Sequence, residues 1–378
     1  MIGFSLTPGQ TELAAEVKDI ADRHIIPRAL EMDRRGDDSF DWSLVELLAA
    51  HNLLAPHIPA EYGGRGLGFL DLALIIEEIS RGCAGLAACM AGELHATIPI
   101  IFGGSKKQKK RFLPPLVNKQ PALAAFALTE PKGGSDVKQL TTSVSNQSNE
   151  TFVNGTKDYI VNGAVSSFVN ACASSETDRS RSSFRFVLVP GEQVKVARIR
   201  NKMGIKYCNT AQLHFDNCRV PKENLIGTDG SGYLLLSQTL DCGRALIGAI
   251  EVGIARAAYE MVLDFAQHRT QFGRPIFYHQ GVSFPLVEMA TLIDAARLMV
   301  WRACWAIDQG EDFSKASSMA RYYASKVAQQ VTSEAINITG AAGYTSDNLL
   351  NVYFRDSKVG SIVGGTDNVQ KMVISSML

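Results

Sequence analysis

Hydrophobic residues recur at helical spacing through the first third of the chain. Thr7-Pro8-Gly9-Gln10 has the form of a capping box with proline at the first helical position, and apolar residues then follow three or four positions apart. Asp41 is suited to cap a second helix. The stretches 70–81 and 86–102 predict two more helices, and the last is almost wholly apolar, which indicates a buried position. We therefore expect an N-terminal helical domain over residues 1–120.

Between residues 121 and 228 the pattern changes to short β-rich runs separated by turn dipeptides. Asn154-Gly155 and Asn162-Gly163 predict turns beside strands at 151–153 and 159–161. Further strands are predicted at 184–189, 194–199 and 212–215, and the polar stretch 174–183 is predicted to be an exposed loop. These features indicate a small β-domain.

Helical spacing returns in the last domain, residues 229–378. The pattern predicts three long helices, at about 235–268, 285–309 and 314–339, with Pro285 close to the start of the second. Helices of this length are typical of an up-and-down bundle.

Charge and composition exclude several classes of protein. The chain of 378 residues carries 38 Lys plus Arg and 38 Asp plus Glu, so a nucleic-acid partner, which needs an excess of cations, is not expected. Glu93 and His95 interrupt the most apolar stretch, so we expect no membrane span. The N-terminus lacks a basic start followed by an apolar region, which predicts a cytoplasmic protein. The seven scattered cysteines and unclustered histidines predict reduced thiols and no metal site.

The most specific segment of the chain is ALTEPKGGSD, residues 127–136. Two glycines beside hydroxyl and carboxyl side chains allow a ligand to approach the backbone closely. The segment resembles the signature of the acyl-CoA dehydrogenase family. The resemblance continues in order through residues 157–163, 203–227, 240–244, 269–276, Gln280 and 353–358, and so spans nearly the whole chain. It implies an α+β fold with an N-terminal α-helical bundle, a middle small β-domain and a C-terminal four-helix bundle.

The same resemblance implies FAD as the cofactor, held between domains and across a subunit interface of a homodimer or homotetramer. The implied flavin contacts are Ala127, Thr129, Gly134, Ser135, Tyr159, Val161, Asn337, Thr366 and Asn368. Arg269, Gln271 and Phe272 would reach the FAD of a partner subunit. A guanidinium suits a pyrophosphate bidentately, although on spacing alone Arg269 is equally well a solvated helix end.

Asp241 and Arg244 occupy the L-D-x-x-R segment that, in the family, lies beside the pantetheine arm of an acyl thioester. The resemblance therefore implies an acyl-CoA or acyl-carrier-protein substrate, with Ser135 as a further contact. The alternative is an intrahelical i, i+3 ion pair worth only about 0.2–0.5 kcal/mol that needs no ligand.

The chain departs from the family at the catalytic base. The family's carboxylate stands before Gly-Thr near the C-terminus, where this chain has Gly364, or in a minority before the Arg of L-D-x-x-R, where it has Gly243. Glycine cannot abstract a proton, so the usual α,β-dehydrogenation does not carry over. A second departure is Val161, where the family has a hydroxyl near flavin N5, whereas Tyr159 retains an aromatic shield.

Glu93 and His95 are the candidate replacements for the base, because both lie in the apolar stretch that by resemblance lines the acyl pocket. The alternatives are a Glu93 turned to solvent and a His95 satisfied by a backbone carbonyl. A different reaction would also dispense with Cα–H abstraction. Oxidation of a carbinol or hydrated aldehyde requires only an O–H proton acceptor, for which His95 is suited.

These observations lead to a FAD-dependent oxidoreductase for a small acyl thioester. The missing carboxylate is compatible with family members that act on carrier proteins in polyketide or nonribosomal-peptide pathways. Reoxidation of the flavin by an electron-transfer protein is possible on this hypothesis. Two alternatives are a flavin-dependent monooxygenase of the same fold and a non-catalytic protein that binds acyl thioesters.

Overall fold

The N-terminal part of the protein is helical. The computed structural model describes residues 5–35, 40–118, 120–137, 140–175 and 180–378. Its first helices are α1 (Pro8–Ile20), α2 (Ala29–Arg35), α3 (Trp42–Ala50), α4 (Phe69–Gly82), α5 (Ala84–Gly103) and α6 (Lys106–Phe112). The predicted helix starts are confirmed. Thr7 and Gln10 cap α1 reciprocally, and Asp41 accepts from the backbone N–H of Ser43 at the start of α3.

Helix α5 lies in the core. By length and composition alone it could cross a membrane, although Glu93 and His95 in this stretch argue for no membrane span. The expectation of no membrane span was wrong as a statement about composition. In the fold, however, 83% of the most apolar 18-residue stretch of α5 is buried, and α5 packs against α4, α7 and the β-domain.

The middle of the chain forms a mixed sheet. Its strands are β1 (Leu123–Ala127), β2 (Ser143–Gln147), β3 (Glu150–Val161), β4 (Ser166–Ser175), β5 (Arg185–Pro190), β6 (Lys195–Ile199), β7 (Thr210–Pro221) and β8 (Leu225–Ile226). The order is β6-β7-β3-β2-β4-β5-β8, with β1 parallel to β4.

The predicted turn at Asn154-Gly155 is wrong, because β3 runs straight through this dipeptide. The pairing of β3 with β7 shifts register between Val153 and Gly155, so the dipeptide lies at a bulge. Gly155 has φ of +149°, and a Cβ added to it would lie 2.6 Å from Thr142 Oγ1. Glycine is required at residue 155 because two segments of the chain approach closely there, and not because the chain turns in a hairpin. Asn162, with φ of +61°, does end β3 in a turn as predicted.

The predicted loop 174–183 is only partly testable, because residues 176–179 lie outside the described residues. At its two ends the prediction of exposure is wrong. Ser174 belongs to β4 and is buried, and Ser183 is also buried.

The C-terminal part is built on long helices, as predicted. They are α7 (Gly232–His268), α8 (Gln280–Asp308) and α9 (Ser314–Thr339), followed by α10 (Ala341–Tyr344), α11 (Leu349–Ser357) and α12 (Asp367–Ser375); the two-residue strands β9 (Thr270–Gln271) and β10 (Arg274–Pro275) follow α7. Pro285 is the sixth residue of α8 rather than its start. Helix α11 packs against α7 and α9.

Helix α5 joins two parts of the hydrophobic core. Leu86 and Leu94 belong to the cluster shared with α4 and α7, whereas Ala96 and Ile100 belong to the cluster shared with the β-domain. A side chain midway along α5 therefore lies where the three parts of the chain meet.

Candidate active site

A cleft opens at this junction of α5, the β-domain and α7. It encloses about 900 Å³ of empty space, part of it open to solvent. Its lining comprises Gly92, His95, Phe126, Leu128, Thr129, Gly134, Ser135, Val137, Tyr159, Ile160, Val161, Leu240, Arg244, Ile247, Val363, Gly364, Gly365 and Val369. The structure thus brings together the implied middle-domain flavin contacts other than Ala127, one candidate base, His95, and two implied substrate contacts, Ser135 and Arg244.

The loop after β1 is held by a buried ion pair. Glu130 accepts hydrogen bonds from the backbone N–H of Thr141 at 2.7 Å and of Thr142 at 2.9 Å, and from Lys157 Nζ at 2.9 Å. Burial raises the pKa of Glu130, but Lys157 and these hydrogen bonds outweigh burial and lower the pKa to about 2. Lys157 also donates to the Leu128 carbonyl at 2.9 Å. The loop that carries Thr129 and Ser135 is therefore fixed to β3.

Tyr159 is presented to the cleft by a second bulge in β3. Its φ is +57°, and its side chain is 61% exposed although it lines the cleft. The Asp158 carboxylate accepts from the Tyr159 N–H at 2.8 Å and from Arg200 Nε at 3.0 Å. The Arg200 guanidinium lies 5.0 Å from the centre of the Tyr159 ring. These contacts stabilise an aromatic ring on the wall of the cleft.

His95 is oriented by one nitrogen and leaves the other available. Its Nδ1–H donates to the carbonyl oxygen of Ala91 at 2.6 Å, and its ring stacks on Phe126 with centroids 5.8 Å apart. The alternative in which a backbone carbonyl satisfies His95 therefore holds for Nδ1. The neutral ring then carries its lone pair on Nε2. Burial lowers the pKa of His95 below 6.5, and the charge of Arg244 lowers it further. The ring is therefore neutral at pH 7.

The Nε2 atom of His95 occupies the space beside Gly243. A Cβ placed on Gly243 would lie 1.8 Å from it, a distance that no side chain can accommodate without displacing the imidazole. The minority position of the family's base is thus filled by the ring of His95.

The other base position is closed as well. Gly364 has φ of +67°, and a Cβ on it would lie 2.5 Å from Ile247 Cδ1. Gln370 Nε2 donates to the carbonyls of Gly364 at 3.1 Å and Gly365 at 2.9 Å, and Arg321 Nη2 donates to that of Val363 at 2.8 Å. At Gly364 and Gly365 the cleft is therefore lined by backbone atoms and not by a side chain.

Arg244 and Asp241 form the i, i+3 ion pair that the sequence left as the alternative to a ligand contact. Both side chains are buried, and Arg244 also lines the cleft. Burial raises the pKa of Asp241, although Arg244 opposes this. Arg244 Nε is buried and has no hydrogen-bond partner among the described residues.

Glu93 does not reach the cleft, although it is two residues from His95. It is fully buried, so the alternative of a solvent-facing Glu93 does not hold either. Within the described part of the chain both its carboxyl oxygens lack hydrogen-bond partners. Burial raises the pKa of Glu93 well above the usual range, which favours the neutral acid.

The remaining implied cofactor contacts lie apart from the cleft in a single chain. Ala127 is buried in the β-domain core, and Thr366 caps α12 by accepting from the Val369 N–H. Arg269 lines a second cleft with Thr339, between the end of α7 and the segment after α9. The other implied cofactor contacts are exposed: Gln271, Phe272, Asn337 and Asn368.

The cleft fits the flavin of FAD. An isoalloxazine is a flat aromatic ring, and the cleft offers it the Tyr159 ring, the Thr129 hydroxyl and an otherwise largely apolar wall. Val161 closes the wall, since a Cβ on Gly92 would lie 2.5 Å from Val161 Cγ1. Among the described residues no group of three or more His, Cys, Asp or Glu is placed to hold a metal ion.

Sequence reasoning missed several residues of the cleft. Leu240 and Ile247 share the i, i+4, i+7 face of α7 with Arg244, so their spacing could have indicated them. The ion pairs of Lys157 with Glu130 and of Asp158 with Arg200 carried no signal in the sequence pattern.

Comparison with known proteins identifies the family of the chain. Three family profiles match the chain: the N-terminal domain of acyl-CoA dehydrogenase over residues 7–120, the middle domain over 125–218 and the C-terminal domain over 230–378. Cyclohex-1-ene-1-carbonyl-CoA dehydrogenase of Geobacter metallireducens is 36% identical over 99% of this chain and 98% of that protein.

Solved structures agree with the sequence comparison. Butyryl-CoA dehydrogenase from Megasphaera elsdenii superposes with a TM-score of 0.95 at 30% identity and covers 100% of this chain and 99% of its own. The prolyl acyl carrier protein oxidase AnaB gives 0.91 at 25% identity, with 99% of each chain covered. PigA with FAD and proline gives 0.93 at 25%, covering 100% of this chain and 99% of its own. The chain therefore belongs to the acyl-CoA dehydrogenase family and is a flavin oxidoreductase with FAD as its cofactor.

Proposed function

We propose that this protein oxidises a small acyl group held as a pantetheine thioester, with His95 as the general base. The observation that carries the proposal is the position of His95 Nε2. It lies 1.8 Å from where the Cβ of residue 243 would be, and residue 243 is one of the two places from which the family supplies its carboxylate. A proton acceptor is thus retained at the same point of the cleft, although it comes from α5 instead of α7.

Bound FAD supplies the acceptor for a hydride equivalent. His95 Nε2 accepts the accompanying proton, either from Cα of a saturated acyl group or from the hydroxyl of a carbinol. The Ala91 carbonyl holds Nδ1–H in place, so Nε2 presents its lone pair to the substrate. The Arg244 guanidinium, which lines the cleft, is the candidate donor to the substrate oxygen. Phe126 and Leu240 reduce the access of water to these groups.

Two arguments support a carrier-protein thioester from polyketide or nonribosomal-peptide metabolism. First, the chain has glycine at both positions from which ordinary family members supply the carboxylate base. Second, a solved structure that matches nearly the full length of the chain is a prolyl acyl carrier protein oxidase. The hairpin of β9 and β10 supports a homo-oligomer, because its Phe272 is a large aromatic side chain that is 92% exposed in the single chain.

The test is reduction of the flavin under anaerobic conditions. FAD-loaded protein is mixed with saturated and 2-hydroxy acyl groups, each as the pantetheine, CoA and carrier-protein thioester, and bleaching of the visible flavin band is followed. We expect bleaching with at least one thioester and a loss of about 10²- to 10⁴-fold in rate for His95→Ala. Glu93→Gln is the matched control and should keep the full rate. No bleaching with any thioester, or full activity of His95→Ala, would overturn the proposal.

The pH profile gives an independent check. Protonated His95 cannot accept a proton, so kcat/KM is lost as the pH falls through the pKa of His95. Because burial lowers the pKa of His95, the midpoint of this acid limb should lie below 6.5. The limb should be absent from the residual activity of His95→Ala.

A further inference from the structure

Helix α6 carries an unusually basic outer face. Its seven residues, KKQKKRF, contain five cations and no acid. Gln108 and Phe112 form the buried side, where Gln108 Nε2 donates to the carbonyls of Glu223 at 2.8 Å and Leu225 at 3.0 Å. Lys109 is half-buried. The other four cations are exposed on the opposite side: Lys106, Lys107, Lys110 and Arg111. The helix is therefore fixed to the β-domain while its charges face solvent.

Within the described ranges, neighbouring acids leave these charges largely uncompensated. Lys107 has Glu223 at 3.8 Å, but the two side chains are 88% and 60% exposed, so this contact is weak. Arg111 lies over the Phe112 ring at 5.0 Å and near Asn224 Oδ1 at 3.4 Å, and neither contact involves an anion.

Two exposed apolar side chains lie on the helices α5 and α7, of which α5 contacts α6. Phe102, at the end of α5, is 49% exposed, and Leu234, at the start of α7, is 64% exposed. The two chain segments touch, because a Cβ on Gly103 would lie 2.7 Å from Leu235 Cδ2. Apolar contacts bordered by charges of one sign are typical of a surface that recognises a charged protein partner.

The face is also at a suitable distance from the reaction centre. His95 and Phe102 lie on the same helix, seven residues apart, which is about 10 Å at the ordinary helical rise. Leu234 and Leu240 are similarly close along α7, and Leu240 lines the cleft. A pantetheine arm is long enough to bridge a separation of this order.

We propose that the face formed by Lys106, Lys107, Lys110, Arg111, Phe102 and Leu234 docks an acidic acyl carrier protein. The inference rests on the proposed thioester oxidation and specifies the carrier. Four cations spread over two helical turns, with apolar side chains beside them, match an extended acidic protein surface rather than the few phosphates of CoA. Such charges accelerate and orient docking, and their effect weakens with salt.

Direct binding tests the surface independently of catalysis. The ligand is a fluorescein-labelled holo acyl carrier protein of bacterial fatty-acid synthesis, and fluorescence anisotropy is measured with FAD-loaded wild type, with Lys107→Glu/Lys110→Glu and with Lys195→Glu/Arg198→Glu. The last variant reverses the same number of exposed charges on β6. We expect the Kd to rise about tenfold or more for the α6 variant only, and the wild-type Kd to rise with added salt.

Kinetics separate the carrier protein from CoA. The α6 variant should show a raised KM for the carrier-bound acyl group, with kcat unchanged, and an unchanged KM for the same acyl group on pantetheine alone. An equal rise in KM for acyl-CoA, or equal anisotropy changes in both double variants, would overturn the docking proposal. Failure of the proposed function would look different, because the wild type would then not oxidise even the pantetheine thioester.

Discussion

The two walls of the cleft are constructed by opposite means. The wall formed by the β-domain, which on the proposed function is the flavin-facing wall, rests on polar groups that satisfy one another, as Lys157 does with Glu130 and Asp158 with Arg200. The acyl-facing wall rests on missing side chains, since Gly243 leaves room for His95 and Gly364 leaves room for Ile247. Ion pairs therefore hold the first wall, and the absence of side chains at two glycines shapes the second. We expect the two walls to respond differently to substitution.

The largest effect is expected at Gly243. A single methyl group in Gly243→Ala would overlap His95 Nε2 and displace the imidazole, so we expect the rate of flavin reduction to fall about 10²- to 10⁴-fold while FAD stays bound. Stopped-flow reduction and the flavin spectrum measure the two quantities. Gly281→Ala, on α8 with no atom within 4 Å of the added Cβ in the described part, is the control.

A double variant sharpens the same comparison. His95→Ala/Gly243→Glu removes the imidazole and returns a carboxylate to the position used by a minority of the family. It should recover flavin reduction relative to His95→Ala if the two positions share one function. Full activity of Gly243→Ala would show that the space beside residue 243 has no role in the reaction.

An effect on stability is expected at the flavin-facing wall. Lys157→Met leaves the Glu130 carboxylate buried without its cation, which should lower the free energy of unfolding by about 3–5 kcal/mol and weaken FAD retention. Urea denaturation of the FAD-loaded protein measures it, with the exposed Lys195→Met as control. An unfolding free energy equal to that of the control would mean that the pair does not stabilise the loop.

The smallest effect is expected at Glu93, which lies on the same helix as His95 but outside the cleft. Glu93→Met replaces an unpaired buried acid by an apolar side chain of similar length, so the free energy of unfolding should rise by about 1–3 kcal/mol. The rate of flavin reduction should not change. A fall in this rate would return Glu93 to the list of candidate bases.

The helices and their caps were predictable from the sequence because the signals are local. The capping box at Thr7 and the cap at Asp41 each involve residues within one turn, and the long C-terminal helices follow from a repeated spacing. The turn predicted at Asn154-Gly155 failed because a contact with Thr142, twelve residues or more away, decides the backbone there. Helix α8 begins at Gln280, five residues before the predicted start at about 285, and accommodates Pro285 in its second turn.

The candidate base shows the same division. The sequence placed Glu93 and His95 together on one apolar stretch and showed that both family carboxylates are absent, and this follows from residue identity alone. Which of the two reaches the cleft depends on the packing of α5 between α7 and the β-domain, which seals Glu93 and directs His95 toward Gly243. Residue order determines which chemical groups a helix carries, whereas the direction and surroundings of each group depend on side chains that are distant in the chain.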